Sequence, residues 1–270
     1  MDEQRFLNAC QMREENKFSE AYEEFLKIAE TTEDRIDKAG ALLYAGMTLK
    51  LLERYEDAKC QFIAARTVAA EYLSPNSSVD ERVGHLELYL DFEDADLYWK
   101  QGENEEALTR LSNFFEKYAE RMREPEFRPI YESVQARRAF ILADLNRWKE
   151  AMPILEAARS FTEYKEGIAF YLGHCYLAAH DYSRSEERLI EALRLGLPHS
   201  LDYRAHCELG MAYYSLEEYA KAKLEFELGA RKADPSYIKQ SQIWKWLEVT
   251  CLKLGLKDEA RYYACLSKPS

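Results

Sequence analysis

Seven times along this chain a residue is followed, twelve positions later, by an alanine or serine. The pairs are Ala9/Ala21, Gly46/Ala58, Ala95/Ala107, Ala139/Ala151, Gly173/Ser185, Gly210/Ala222 and Glu248/Ala260, and only Glu248 breaks the rule that the first member is small. Three positions before the second member stand Phe18, Tyr55, Asn104, Trp148, Tyr182, Tyr219 and Lys257. Four after it stand Phe25, Phe62, Leu111, Leu155, Leu189, Phe226 and Ala264. Small residues on two neighbouring helices let their backbones approach, and large ones a turn away fill the seam between them. The spacing therefore predicts a helix–turn–helix unit repeated seven times, each unit stacked on the next to bury its apolar face.

The best-formed copies read Leu209-Gly210-x-x-Tyr213 followed by Tyr219-x-x-Ala222-x-x-x-Phe226, and Leu172-Gly173-x-x-Tyr176 followed by Tyr182; the last copy carries Trp244-x-x-Leu247, Gly255 and Ala260. In these positions the chain resembles the tetratricopeptide-repeat (TPR) family. The resemblance covers residues 2–268 and implies an all-α fold, a right-handed superhelical solenoid of about seven helix-turn-helix repeats. It implies a single solenoid domain over 1–270, with repeats near 2–35, 36–72, 80–122, 128–162, 164–198, 200–235 and 236–270. Helices are expected at 3–14, 18–30, 36–51, 55–72, 80–101, 104–122, 128–145, 148–160, 164–178, 182–194, 200–215, 219–231, 236–253 and 257–267.

Successive anchors lie 37, 49, 44, 34, 37 and 38 residues apart, and the two widest intervals hold Leu73–Ser78 (LSPNSS) and Arg121–Pro129 (RMREPEFRP). Extra length at repeat borders reads as loop or helix extension. Pro198 and Pro235 fall near borders, whereas Pro153 lies inside an expected helix, where it removes one backbone donor.

Composition agrees with helix: apolar residues make up 47%, charged residues 32%, and there are only 10 glycines and 7 prolines. The net charge is −12, with 30 acids against 17 bases in residues 1–135 and 19 against 20 in the remainder. Such a balance argues against nucleic acid as a partner, because phosphate binding needs clustered Lys and Arg. No apolar run approaches the about 18 residues that span a membrane, and the opening Met1-Asp2-Glu3-Gln4-Arg5 is polar. Six scattered cysteines without a C-x-x-C pair read as reduced thiols, and the expected location is cytoplasmic.

Signatures of common enzyme folds are missing: there is no G-x-G-x-x-G, no phosphate-cradling G-x-x-x-x-G-K-[ST], no G-x-S-x-G and no H-E-x-x-H. No catalytic residue, cofactor or metal is assigned. The run Asp91-Phe92-Glu93-Asp94-Ala95-Asp96 fails as a Ca²⁺ loop, since its sixth place is Asp96 and its twelfth Gly102, and it reads as a solvated acidic face. His174-Cys175 and His206-Cys207 lack metal-ligand spacing and read as packing or groove lining.

What the TPR resemblance implies about function is a non-enzymatic scaffold or adaptor that holds a protein or peptide in its concave groove, lined by the first helix of each unit. The candidate contacts are Phe92, Trp99, Phe140, Phe170, His174, Arg204, Cys207, Met211, Tyr214 and Lys245, flanked by Phe6, Cys10, Leu43, Met47, Asp96 and Val249. The charged clamp of chaperone-tail adaptors is not expected, because Phe6, Cys10, Leu43 and Met47 occupy its places. An alternative is a bacterial regulator whose groove senses a signalling peptide. Tyr262, Tyr263, Cys265 and Leu266 give the final helix more apolar surface than one neighbour covers, so self-association as a homodimer, or partner docking, is also expected there.

Overall fold

The computed structural model describes residues 3–72, 81–161, 163–233 and 242–267. Fourteen α-helices occur among them: α1 Glu3–Glu14, α2 Phe18–Thr31, α3 Arg35–Leu51, α4 Tyr55–Tyr72, α5 Glu81–Lys100, α6 Asn104–Tyr118, α7 Arg128–Asp144, α8 Trp148–Ala158, α9 Lys165–Ala178, α10 Tyr182–Leu195, α11 His199–Ser215, α12 Tyr219–Lys232, α13 Ile243–Lys253 and α14 Lys257–Leu266. No strand is present among the described residues. The expected helix ends are met within a residue or two, except that α6 stops at Tyr118 and two short 3₁₀ turns, Arg121–Arg123 and Pro125–Phe127, follow it. The LSPNSS stretch, Pro235 and the expected start of α13 at 236 lie outside the described residues.

Every helix pair turns by the same device. The residue five before the second anchor takes a left-handed conformation: Asn16, Glu53, Gly102, Asn146, His180, Glu217 and Gly255, with φ between 57° and 82°. In each case its N–H and the next residue's N–H return to carbonyls of the first helix. In the sixth pair these are Glu217 N–H to the Tyr214 carbonyl at 3.1 Å and Glu218 N–H to the Tyr213 carbonyl at 2.9 Å. This is the Schellman motif, which satisfies two of the carbonyls that a helix end leaves open. The second helix then begins within two residues of the left-handed one, at Phe18, Tyr55, Asn104, Trp148, Tyr182, Tyr219 or Lys257.

Small anchors let the two helices of a pair touch. A methyl group placed on Gly210 would lie 2.7 Å from the Phe226 ring, and one on Gly173 would lie 2.6 Å from Leu189. Where serine replaces alanine at the second anchor, the buried Ser185 hydroxyl donates to the Gly173 carbonyl at 2.9 Å, so the polar atom is buried without an unmet bond.

The contacts define two compact units, Met1–Arg128 and Pro129–Ser270. Their border falls in the RMREPEFRP stretch, the second of the two wide intervals. In the first unit Phe25, Leu49 and Phe62 close a core that runs from Ala9 to Leu97. In the second, Leu155, Phe170, Leu189, Phe226 and Leu247 are buried along successive pairs.

Candidate functional site

Adjacent repeats are joined through one column of the first helices, the residue two before the first anchor. Tyr44 lies under the Arg13 guanidinium at 5.1 Å and meets the Phe6 ring edge-on at 4.9 Å. Glu93 takes the ammonium of Lys50. The Tyr171 ring stacks on Phe140 at 4.4 Å, and its hydroxyl donates to Asp144 at 3.0 Å. Glu208 accepts from His174 Nδ1 at 3.0 Å, and Trp246 packs edge-on against Tyr214 at 5.4 Å. Each pairs a residue with the preceding repeat, so the same strip that would face a ligand also fastens the stack.

In the second unit this strip becomes a continuous polar network across α7, α9 and α11. The Arg204 guanidinium lies 3.4 Å from Asp144 and 3.8 Å from Glu208, and 5.2 Å from the Phe170 ring. Burial favours loss of its proton, yet Glu208, Tyr171 and Asp144 outweigh that and hold the charge. Burial also pulls the His174 imidazole down, but the charge and hydrogen bond of Glu208, helped by Asp144 and opposed by Arg204, leave it above its ordinary value. Desolvation drives the Tyr171 phenol far up, so it remains a neutral donor to Asp144. The second carboxylate oxygen of Glu208, Oε2, is buried with no hydrogen-bond partner. Perturbed ionisable groups gathered on one face mark a candidate site.

The candidate groove residues separate by depth. Phe92, Phe140, Phe170 and Cys207 are buried, so they back the strip and offer it no contact surface. Burial pushes the Cys207 thiol up to about 12, leaving it a protonated packing group. His174, Arg204, Met211 and Tyr214 are half-buried and Lys245 is exposed, and these present the accessible heads in the second unit. Trp99 is half-buried in the first unit, with the Lys100 ammonium 4.9 Å from its ring. Tyr262 and Leu266 are exposed on α14.

Sequence reasoning missed Asp144, Tyr171 and Glu208. A signal was there: the column two before the first anchor reads Tyr44, Glu93, Arg137, Tyr171, Glu208 and Trp246, aromatic or ionisable in six successive repeats. The acidic run at 91–96 also differs from expectation. Glu93 and Asp96 are buried around Lys50, Asp91 binds Arg66, Lys117 and the Tyr118 hydroxyl, and Asp94 binds Arg110. It is a hub of ion pairs tying α5 to α3, α4 and α6. Elsewhere Glu81, His85 and Glu126 bring one donor atom each within 4.8 Å of one another; two of the three are exposed carboxylates, and no metal is assigned to them.

Seven αL turns, close-packed anchors and stacked pairs define the class: an all-α protein with the TPR-type repeat fold. No family model and no curated relative matches the chain. Among solved structures it is similar to a Rap protein complexed with competence and sporulation factor, at 14% identity and TM-score 0.65, over 97% of this chain and 74% of that one. It is similar also to apo RapI, at 16% identity and TM-score 0.62 over 98% and 74%. Pseudomonas aeruginosa PilF aligns at 17% identity and TM-score 0.59 over 86% and 90%. At these identities the likeness is one of fold. No helix among the described residues is long and apolar enough to cross a membrane.

Proposed function

We propose that the second unit is a non-enzymatic interaction module that holds a protein or peptide segment along α7, α9, α11 and α13. The observation that supports this best is the Asp144–Tyr171–Arg204–Glu208–His174 network. Beyond fastening the stack, this face keeps an accessible guanidinium and imidazole beside a buried acceptor, Glu208 Oε2, that has no donor. A buried acceptor left unpaired costs about 1–3 kcal/mol, which a partner's N–H would offset. Met211 and Tyr214 supply the apolar flank, and Lys245 a further cation, the mixture of anchors and orienting charges that peptide recognition uses.

The test is a pull-down from native extract with wild type beside the double variant Arg204→Gln with Lys245→Glu, the variant checked for an unchanged thermal midpoint. A partner retained by wild type and lost by the variant supports the module; identical prey sinks it. Phe140→Glu or Phe170→Glu is unsuitable, because each would place a charge in the core.

A second reading draws on the likeness to the Rap protein solved with competence and sporulation factor. In it the same face senses a signalling peptide and the output is a partner's activity. X-ray scattering that shows a changed radius on adding a bound peptide supports sensing, and an unchanged radius supports plain scaffolding.

A further inference from the structure

On the side of the second unit formed by α8, α9 and α10, away from the network above, lies a hollow of about 690 Å³. Its floor is apolar, made by Trp148, Met152, Pro153 and Tyr176, and its rim is cationic, made by Lys149, Arg159, Arg184 and Arg188. One acid, Glu156, lines it and is engaged by the Tyr176 hydroxyl. A second hollow, of about 160 Å³, shares Arg159 and Arg188, is bordered by Lys165 and Glu191, and continues over the buried Ile168 and Leu172 to the exposed Leu195. The two together make a furrow in which cations stand between two apolar stretches.

Pro153 adds a third element. It lies within α8 and has no N–H, so the Lys149 carbonyl lacks the helical donor four residues on. Both residues line the larger hollow. The rim arginines are held by neighbours along their own helices: Arg159 by Glu156 at 3.3 Å, Arg184 by Asp181 at 2.6 Å, and Arg188 by Glu191 at 2.5 Å and Glu187 at 2.9 Å. The Arg159 and Arg184 pairs are exposed, and exposed pairs are weak and readily exchanged for an incoming carboxylate.

We infer that this furrow binds an extended acidic peptide segment in which carboxylates are flanked by apolar side chains. Two apolar stretches separated by arginines match a chain with anchors on either side of its acids, and a linear segment also brings the N–H that the Lys149 carbonyl lacks. A compact anion would use the rim and leave both floors uncovered. The site is distinct from the α7–α9–α11–α13 face, and each stands or falls separately.

The probe is a fluorescein-labelled peptide of two phenylalanines separated by four glutamates, read by anisotropy against the full chain. Its controls replace the glutamates by lysines or the phenylalanines by serines. The acidic peptide is expected to bind and both controls to bind at least about tenfold more weakly. Arg159→Glu with Arg184→Glu, both on exposed positions, is expected to weaken the acidic peptide about tenfold or more. Pro153→Ala restores the helical N–H; it is expected to raise the thermal midpoint while weakening binding about threefold, a combination that misfolding does not produce. Absence of binding, equal affinity for the lysine peptide, or loss in the Arg204→Gln variant with the furrow variants unchanged would each overturn the assignment.

Discussion

His174 lies between Glu208, Arg204 and Asp144, and its behaviour with pH follows from that company. Its folded-state value is raised over the ordinary one, so protonation stabilises the fold. That contribution is full below about pH 6.5 and fades as pH climbs through the raised value. His174→Gln is expected to flatten this part of the stability profile, measured by urea unfolding from pH 5.5 to 8.5; an unchanged profile would assign the slope to other groups. Lys50 in the first unit shows the same sign of dependence, displaced to alkaline pH. It is enclosed with Glu93 and Asp96, and although burial works against its charge, Asp96 and Glu93 raise its value. Lys50→Met strands two carboxylates in the interior and is expected to cost about 3–5 kcal/mol, whereas replacing all three by apolar residues recovers most of it. A loss under about 1 kcal/mol for the single change would mean that water reaches the acids.

At the scale of the helix pair, the seam and the turn make different demands. Gly210→Ala gains helix propensity of about 1 kcal/mol, but the new methyl lies 2.7 Å from Phe226, and overpacking of about 1–3 kcal/mol is expected to dominate. Glu217→Gly relieves a left-handed non-glycine residue at φ 63° and is expected to stabilise by about 1 kcal/mol. Thermal midpoints of the two variants, moving in opposite directions, check both. The seam was legible because it rests on side-chain size at fixed offsets, which the sequence displays directly. The turns were partly legible: Asn16, Gly102, Asn146, His180 and Gly255 are types that tolerate positive φ, but Glu53 and Glu217 give no such sign. The network was less so. Asp144, Tyr171 and Glu208 meet only when repeats 27 to 64 positions apart are stacked, and a helix-by-helix reading assigns each to an ordinary polar face.

Over the whole chain, helix number and order follow from periodicity, whereas the depth of Phe140 and Phe170 depended on how tightly successive first helices close over the strip. Exposure of Leu252, Tyr262 and Leu266 bears on the proposal that α14 docks on a second copy. It predicts a scattering mass that rises with concentration in wild type and stays at the monomer value in Leu266→Glu; a monomer throughout removes it. One regularity reaches further. The interval inside a pair is always twelve residues, while the interval between pairs runs from 22, Ala151 to Gly173, to 37, Ala58 to Ala95. The Schellman turn couples the phase of each second helix to its first, so one residue added inside a pair rotates a whole seam by about 100°. Between pairs there is no such gearing. The chain is thus punctuated for editing: a tag, a cleavage sequence or a grafted segment belongs at the pair borders, and the same insert at residues 15–17 would misalign everything beyond it in that pair.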